Sequence, residues 1–306
     1  MAYYSGTAAS LTALRTALLT HAQADGWVLT GDVLSKAGVY FQIQVNATNI
    51  TCLGCESNAV ANPAPNVVSI GRIYQRTSYP TREISFPCNY EVFGFTQELY
   101  LVANYDVDSY QWMAFGKSTV PGLIGQGGWC GATLGVFGLS GNGDAPFHIL
   151  INGGADSGFG FQRTTGALFW GISANNFNTA PLNCWVNHGL DSHGWTYNGS
   201  QFSAPIGIRH NSPMMSLQAS VWNTEATLLP LRCYKERPSY KASLIANLAN
   251  ARHLRIDNLS PSDILTLGSD KWKIFPWYRK DSANRDGGTG VNHTGTFGWA
   301  IRYEGP

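Results

Sequence analysis

The segment 264–303 constrains the fold of this chain more than any other part of the sequence. Two short runs of β-branched and aromatic residues, 264–267 and 272–275, flank a Gly-Ser-Asp sequence that is typical of a tight turn. A polar stretch, 281–292, follows, and residues 297–303 then alternate large apolar side chains with small or charged ones, as a half-buried strand does. The segment therefore predicts a β-hairpin, a long loop and a closing strand.

The N-terminal part predicts one helix and a small sheet. Ser10 is a suitable N-cap, and Leu11, Leu14 and Leu18 form a single apolar stripe that ends before Gly26. The strands predicted after the helix are short, with a Thr-Gly-Asp turn in the first hairpin. They are residues 27–29, 33–35, 39–45 and 67–70.

Most of the remaining chain also predicts strands. Residues 88–115 indicate a three-stranded meander with short polar turns. Later strands are predicted at 147–152, 167–172, 216–221 and 227–234. A short helix is predicted at 238–250, because Tyr240, Leu244 and Leu248 recur at every fourth position.

The predicted fold class is mainly β with minor α, an α+β arrangement. An N-terminal helix packs on a small antiparallel sheet, and a larger antiparallel β region follows. The glycine-rich stretch 138–144 marks a boundary between an N-terminal helix-plus-sheet domain, residues 1–140, and a β-rich C-terminal domain, residues 141–306. Because glycine-rich loops also occur inside domains, a single unit is the alternative.

The chain carries few charges for its size. Lys and Arg number 20 and Asp and Glu 19, so charged residues are 13% of the sequence, against about 25% in typical globular proteins. Interface centres are depleted in charge and enriched in aromatic residues, which favours a homo-oligomer over a monomer with an uncharged polar surface. The net charge of +1 gives no electrostatic footprint for nucleic acid, so no nucleic-acid partner is predicted.

The six cysteines are predicted to be reduced thiols, because the first residues lack the basic stretch of a secretory signal. Cys52 and Cys55 have the spacing of a metal-binding pair, but zinc needs four ligands and no second cysteine pair exists. A composite site would need Cys184, His188 and His193 to meet them, so two free thiols in a loop are the simpler interpretation. We expect no metal and no cofactor. No membrane insertion is expected either, because no apolar run approaches the roughly 20 residues that span a bilayer.

Catalytic motifs are absent from the sequence. It contains no G-x-S-x-G, no GxxxxGK[ST] and no H-E-x-x-H. Glycoside hydrolysis would need two carboxylates facing each other across a cleft, and the sequence singles out no such pair among its 19 acidic residues. We therefore predict no catalytic residues and no enzyme activity.

The densest polar and aromatic cluster consists of His188, Asp191, His193 and Trp195. Aromatic faces stack on sugar rings while polar side chains bind the hydroxyls, so these four residues are candidate glycan contacts. A structured loop whose side chains hydrogen-bond to its own backbone is the simpler alternative, and it is favoured because such loops are common.

The C-terminal segment also supplies candidate interface residues, each of which combines a large contact area with a polar or charged tip. They are Trp277, Tyr278, Arg279, Arg302 and Tyr303. The residues predicted to form the core beneath them are Trp272, Phe275, Trp299 and Ile301. For Arg279 and Arg302 an ordinary surface position is an equal alternative, since weak salt bridges at strand ends are common.

Three stretches of the chain resemble a family of virion structural proteins of tailed bacteriophages. They are the opening MAYYSGTAASLTALRTAL, the central ELYLVANYDVDSYQWMAFGKS, and FPWYRK together with the C-terminal HTGTFGWAIRYEGP. Similarity to the family is low in 49–67, 153–207 and 281–292, where surfaces specific to each partner are expected.

The resemblance implies a structural role and supplies no catalytic residues. Members of the family occur with tail and baseplate genes, so the chain is expected in the virion tail, at the tail tip or baseplate, after assembly in the host bacterial cytoplasm. It would assemble symmetrically and hold the tail tube or receptor-binding fibres, with other tail and baseplate proteins as partners. The alternative function is a carbohydrate-binding, host-recognition module of the tail.

Overall fold

We analysed a computed structural model of the chain. It describes residues 1–59, 67–71, 83–107, 109–135, 184–197, 226–237, 241–277, 280 and 297–305. These residues form one α-helix and three antiparallel sheets, which confirms the predicted mainly-β class. The glycine-rich boundary and the strands predicted at 147–152, 167–172 and 216–221 lie outside the described residues.

The predicted N-terminal helix is confirmed as α1, Leu11–Ala24. It begins after Ser10, whose side chain accepts a hydrogen bond from the backbone N–H of Ala13 at 3.1 Å. Its buried stripe includes Leu14 and Leu18 and faces the sheets. Arg15 anchors the helix because its Nε donates to the carbonyl of Ile43 at 2.8 Å.

A six-stranded sheet packs against this helix, as predicted. Its strands are β2 Val28–Thr30, β3 Val33–Lys36, β4 Val39–Val45, β5 Asn49–Cys55, β6 Val67–Gly71 and β11 Leu134–Gly135. The spatial order is β11-β6-β5-β4-β3-β2. The hairpin turn between β2 and β3 is the predicted one, with Thr30 opposite Val33.

The seven-stranded sheet contains the predicted meander as β7, β8 and β9. Its strands are β1 Ala2–Ala8, β7 Cys88–Gly94, β8 Glu98–Asp106, β9 Ser109–Lys117, β10 Gly128–Ala132, β12 Cys184–Asn187 and β13 Trp195–Tyr197. They lie in the order β1-β7-β8-β9-β10-β12-β13. Strand β1 was not predicted, because its pairing partner β7 lies far along the chain.

The five-stranded sheet holds the C-terminal hairpin and closing strand, both as predicted. Its strands are β14 Leu229–Arg237, β15 Lys241–Arg255, β16 Ile264–Leu267, β17 Asp270–Pro276 and β18 Phe297–Tyr303. The order is β14-β15-β18-β17-β16, so the closing strand is an inner strand.

The helix predicted at 238–250 is wrong, because this segment contributes most of β15. A four-residue spacing of apolar side chains is ambiguous. It places them on one face of a helix, but four is also an even number, so it places them on one face of a strand. Pairing with β14 on one side and β18 on the other decides for the strand.

The three sheets share one large hydrophobic core. Phe41 of β4 contacts Phe115 of β9 with ring centroids 5.0 Å apart, which joins the six-stranded to the seven-stranded sheet. Trp112 of β9 contacts Trp299 of β18 at 5.4 Å, which joins the seven-stranded to the five-stranded sheet. Described residues from both sides of the predicted boundary thus lie in the same core, and β12 pairs directly with β10.

Candidate functional site

The aromatic C-terminal block forms the centre of the contact between the seven-stranded and five-stranded sheets. Trp277 stacks on Trp299 at 4.9 Å with an interplanar angle of 13°, and Trp112 meets both rings at 5.4–5.5 Å. All three indoles are fully buried. The four residues predicted as core, Trp272, Phe275, Trp299 and Ile301, are buried as well.

Two of the candidate interface residues are part of this core instead. Trp277 is fully buried, and Tyr303 is nearly so, with its ring edge-on to Tyr3 at 5.0 Å. Side chains enclosed by their own chain have little area to offer a second subunit, which corrects the interface prediction for these two positions. The reason is that each ring packs against aromatic residues of the same chain.

The other three interface candidates are Tyr278, Arg279 and Arg302. Tyr278 and Arg279 lie outside the described residues. Arg302 is on the surface, where its Nη2 lies 2.9 Å from the Asp270 carboxylate and its Nε 3.6 Å from that of Glu304. Arg302 is therefore the described candidate that is accessible to a partner.

A charged network that the sequence did not indicate joins β1, β7 and β17. The Tyr3 hydroxyl donates to Glu91 Oε2 at 2.8 Å, and Lys273 Nζ lies 2.5 Å from the same oxygen. The Lys273 ammonium also lies over the rings of Tyr3 and Tyr303, 5.2 and 5.4 Å from their centroids. Burial and the Glu91 carboxylate raise the pKa of Tyr3 to about 12, so Tyr3 remains a hydrogen-bond donor.

The buried carboxylate of Glu98, on β8, binds an irregular part of strand β15. Opposite β14, Arg252 pairs with Pro230 and Leu248 with Leu231, so residues 249–251 form a bulge without opposing residues. Glu98 accepts hydrogen bonds from the backbone N–H groups of this bulge.

The hydrogen bonds to Glu98 come from four donors. Its oxygens lie 2.8 Å from Ala249 N, 3.1 Å from Asn250 N, 2.7 Å from Asn250 Nδ2 and 2.9 Å from the Tyr100 hydroxyl. Burial raises the pKa of the Glu98 carboxyl, although these donors act in the opposite direction. Glu98 thus provides hydrogen-bond acceptors for the N–H groups of the bulge, and it connects the seven-stranded sheet to the five-stranded sheet.

The candidate glycan residues come together in the turn between β12 and β13, residues 187–195, which we call the histidine turn. His188 is fully buried, and its Nδ1 accepts the backbone N–H of Leu190 at 2.9 Å. Burial, with the positive charge of Lys235 nearby, lowers the pKa of His188 to about 4. His188 is therefore neutral at pH 7 and carries its proton on Nε2.

The backbone of the histidine turn is strained. Asp191 and Ser192 adopt φ angles of 55° and 61°, in the left-handed region that is costly for residues other than glycine. The Asp191 carboxylate binds Arg237 of β14, with Oδ1 2.7 Å from Nη2 and Oδ2 3.2 Å from Nε. This pairing holds the turn against the five-stranded sheet and lowers the pKa of Asp191.

Two side-chain nitrogens of the histidine turn bond within the turn itself: His188 Nδ1, described above, and His193 Nδ1. His193 Nδ1 lies 2.8 Å from the carbonyl oxygen of Asp191. The Trp195 ring packs on β5, where Gly54 leaves room for it, and lies 6.3 Å from Phe41. His188, Asp191 and Trp195 therefore serve the fold, and His193 is the histidine of the turn that is partly exposed.

The cysteines lie in strands rather than loops. Cys52 and Cys55 belong to β5, so the prediction of two thiols in a loop is wrong about their setting. The Cys52 thiol forms a hydrogen bond with Cys130, and burial raises its pKa well above the usual value. All six cysteines are buried free thiols. Within the part of the chain that the structure describes, no group of His, Cys, Asp and Glu is arranged to hold a metal ion.

No known protein-family model matches this chain, and a comparison with curated proteins finds no significant match. Among the described residues, no helix has the length and apolar character needed to cross a membrane.

Proposed function

We propose that this chain is a non-enzymatic structural protein of a tailed-bacteriophage virion, located at the tail tip or baseplate. One observation carries the proposal: the three stretches that resemble the phage family meet in space. Tyr3 of the opening stretch contacts Tyr303 at 5.0 Å. Trp112 of the central stretch contacts Trp277 and Trp299, one from each part of the C-terminal stretch, at 5.5 and 5.4 Å.

This convergence supports a structural rather than a catalytic role. The central and C-terminal stretches supply the inner strands β8, β9 and β18 and buried aromatic rings, and a close-packed aromatic core fixes the relative positions of sheets. None of these contacts forms a nucleophile, a paired-acid site or a metal site. A subunit that holds its neighbours in register needs such a rigid core.

Symmetric self-assembly with other tail and baseplate proteins as neighbours completes the proposal. The low content of charged residues, 13%, suits a surface that is largely covered in the particle. The tail tube and receptor-binding fibres are the structures that such a subunit would hold.

Analysis of purified virions tests the proposal directly. Mass spectrometry of density-purified particles should find the chain in several copies per virion, and antibodies against it should decorate one end of the tail in electron micrographs. Antibodies against the capsid provide the matched control for position. A chain that is abundant in the lysate but missing from purified particles would refute the virion role.

Enzyme assays test the absence of catalysis. The purified chain should release no product from capsule, lipopolysaccharide or peptidoglycan. Product release that disappears when one acidic residue is changed would refute the proposal that the chain is non-enzymatic.

A second function, binding of host carbohydrate, is favoured by the strained backbone of the histidine turn. Strain at exposed polar residues often marks a binding site, and Asp191 and Ser192 are both exposed. Glycan-array binding that is lost in His193→Ala and retained in Arg302→Ala would support this role. An array without signal would reject it.

A further inference from the structure

The two outer strands of the five-stranded sheet differ in how they meet solvent. Strand β14 carries Pro230 and the cations Arg232, Lys235 and Arg237, which are devices that protect a sheet edge. Strand β16, Ile-Leu-Thr-Leu, has neither a proline nor a charge. Ile264 and Leu267 are 44% and 47% exposed, and no other described strand carries two exposed large apolar side chains.

Among the residues that the structure describes, only β17 pairs with β16, so one side of the β16 backbone has no strand partner there. The hairpin pairs Leu267 with Asp270, and the carbonyl of Asp263 accepts the N–H of Ile274 at 3.0 Å. In an antiparallel pair, residues bonded to the neighbouring strand alternate with residues that point away from it. The odd-numbered residues therefore bond to β17, and Ile264 and Thr266 direct their N–H and C=O groups outward.

We propose that β16 pairs antiparallel with β16 of a second copy of this chain, about a two-fold axis at Leu265. Ile264 then lies opposite the partner's Thr266, and Thr266 opposite the partner's Ile264. This register matches every outward-pointing N–H and C=O group of the two residues with an outward-pointing group of the partner. A shift by one residue would instead oppose them to residues whose groups are already bonded to β17.

A second copy fits this edge because the edge is self-complementary. The strand is uncharged, so two copies meet without repulsion between like charges. Two of the neighbouring charges are engaged within the chain: Asp263 Oδ2 accepts the N–H of Ser260 at 2.7 Å, and Lys273 binds Glu91. Lys271, opposite Thr266, lies on β17 rather than on the free edge. Exposed Ile264 would gain apolar contact from the methyl group of the Thr266 opposite it and from the Ile264 of the second copy, which lies diagonally across the pair.

The contact is small compared with a standard interface of about 800 Å² per partner. Dimerisation should therefore be weak between free subunits. It should be stronger where other contacts hold the copies close together, because this raises their effective concentration. The pairing itself does not depend on the proposed virion role.

Proline at position 266 tests the pairing. Thr266→Pro removes an outward N–H but no bond to β17, so the variant should fold like the wild type. Analytical ultracentrifugation should show a concentration-dependent dimer for the wild type. Dimerisation of Thr266→Pro should be weaker by at least about tenfold, because each copy loses one hydrogen bond between subunits. The control Thr266→Val retains the N–H and should dimerise like the wild type.

Cysteine cross-linking tests the register. Under mild oxidation Leu265→Cys should form a disulfide-linked dimer much faster than Thr266→Cys, because only position 265 faces its own copy across the axis. The native cysteines are buried and should not compete.

Three results would overturn the proposal: a wild-type chain that stays monomeric at the highest measurable concentration, a Thr266→Pro variant that dimerises normally, or faster cross-linking at 266 than at 265. A chain that dimerises as predicted but is missing from purified virions would refute the virion role and leave the pairing intact.

Discussion

The inner strand β18 and the outer strand β16 belong to one sheet and are both rich in large apolar residues, yet they have opposite environments. Trp299 and Ile301 of β18 are fully buried between sheets, whereas Ile264 and Leu267 of β16 remain nearly half exposed. Composition alone does not separate the two strands. Position in the strand order does, because an inner strand is covered on both edges and an outer strand on one.

The largest expected effect tests the buried side of this comparison. Trp299→Ala should lower the free energy of unfolding by about 3–5 kcal/mol, because it leaves a cavity beside Trp277 and Trp112. The matched control on the outer strand, Leu267→Ala, should cost less than about 1 kcal/mol, because that side chain is half exposed. Urea denaturation followed by circular dichroism measures both. Equal losses of unfolding free energy in the two variants would show that β18 and β16 do not differ in how much their side chains stabilise the fold.

The next effect tests how the inner strands are held in register. Glu98→Gln should cost about 1–3 kcal/mol at pH 7, because the amide places donors against the N–H groups of the bulge in β15.

The stability of the wild type should also depend on pH through Glu98. Because burial raises the pKa of Glu98 above its unfolded value of about 4.3, the folded state binds more protons in that range. The contribution of this group to stability is therefore greatest below pH 4.3 and falls as the pH rises above it. Unfolding titrations at several pH values should show that Glu98→Gln removes this decline, whereas the exposed control Glu56→Gln preserves it. If stability still declines with rising pH in Glu98→Gln, another titrating group causes the decline.

A pH effect of opposite sign is expected at the far end of the seven-stranded sheet. His188 has a folded pKa of about 4, below the unfolded value of about 6.5, so the unfolded state binds more protons between these pH values. Stability should be lost by about 1–2 kcal/mol as the pH falls through this range.

Calorimetry of His188→Gln should show a flatter acid limb than the wild type, because glutamine does not titrate. The control His193→Gln should retain the acid loss. An unchanged acid limb in His188→Gln would show that His188 is not the group responsible.

The smallest expected effect lies on the exposed side of β18. Arg302→Ala should change the free energy of unfolding by about 0–1 kcal/mol, because its ion pair with Asp270 is exposed. Thermal melting measures this. Under the proposed function the same variant should enter virions less efficiently, and normal incorporation would remove Arg302 from the candidate interface.

Local sequence signals predicted much of the fold. The apolar stripe and N-cap of α1, the meander β7–β9 and the hairpin β16–β17 are all encoded within short windows, where periodicity and turn residues act directly. Strand β1 escaped prediction because its pairing partner β7 is distant in the sequence, and the long strand β15 was predicted as a helix because its four-residue apolar spacing fits both structures. Tertiary pairing overrides weak local preference in both.

The candidate site was less predictable, for a geometric reason. The sequence identified the residues of the histidine turn as a cluster, but it did not show that His188 is buried or that Asp191 binds Arg237. Glu98 carried no signal at all, since its partners Ala249 and Asn250 are about 150 residues away. Trp277 was predicted to lie in a subunit interface because a polar tip does not reveal whether a sheet of the same chain will cover it.

The central place of β18 has a consequence for how the chain folds during synthesis. The hairpin of β16 and β17 leaves the ribosome before the strand that links it to β15, and an isolated two-stranded hairpin is marginally stable in water. Completion of the sheet therefore waits for β18, and the nascent chain exposes both unpaired edges of the hairpin until then. Chaperones that bind extended apolar segments would act in that interval, and aggregation would compete with folding there.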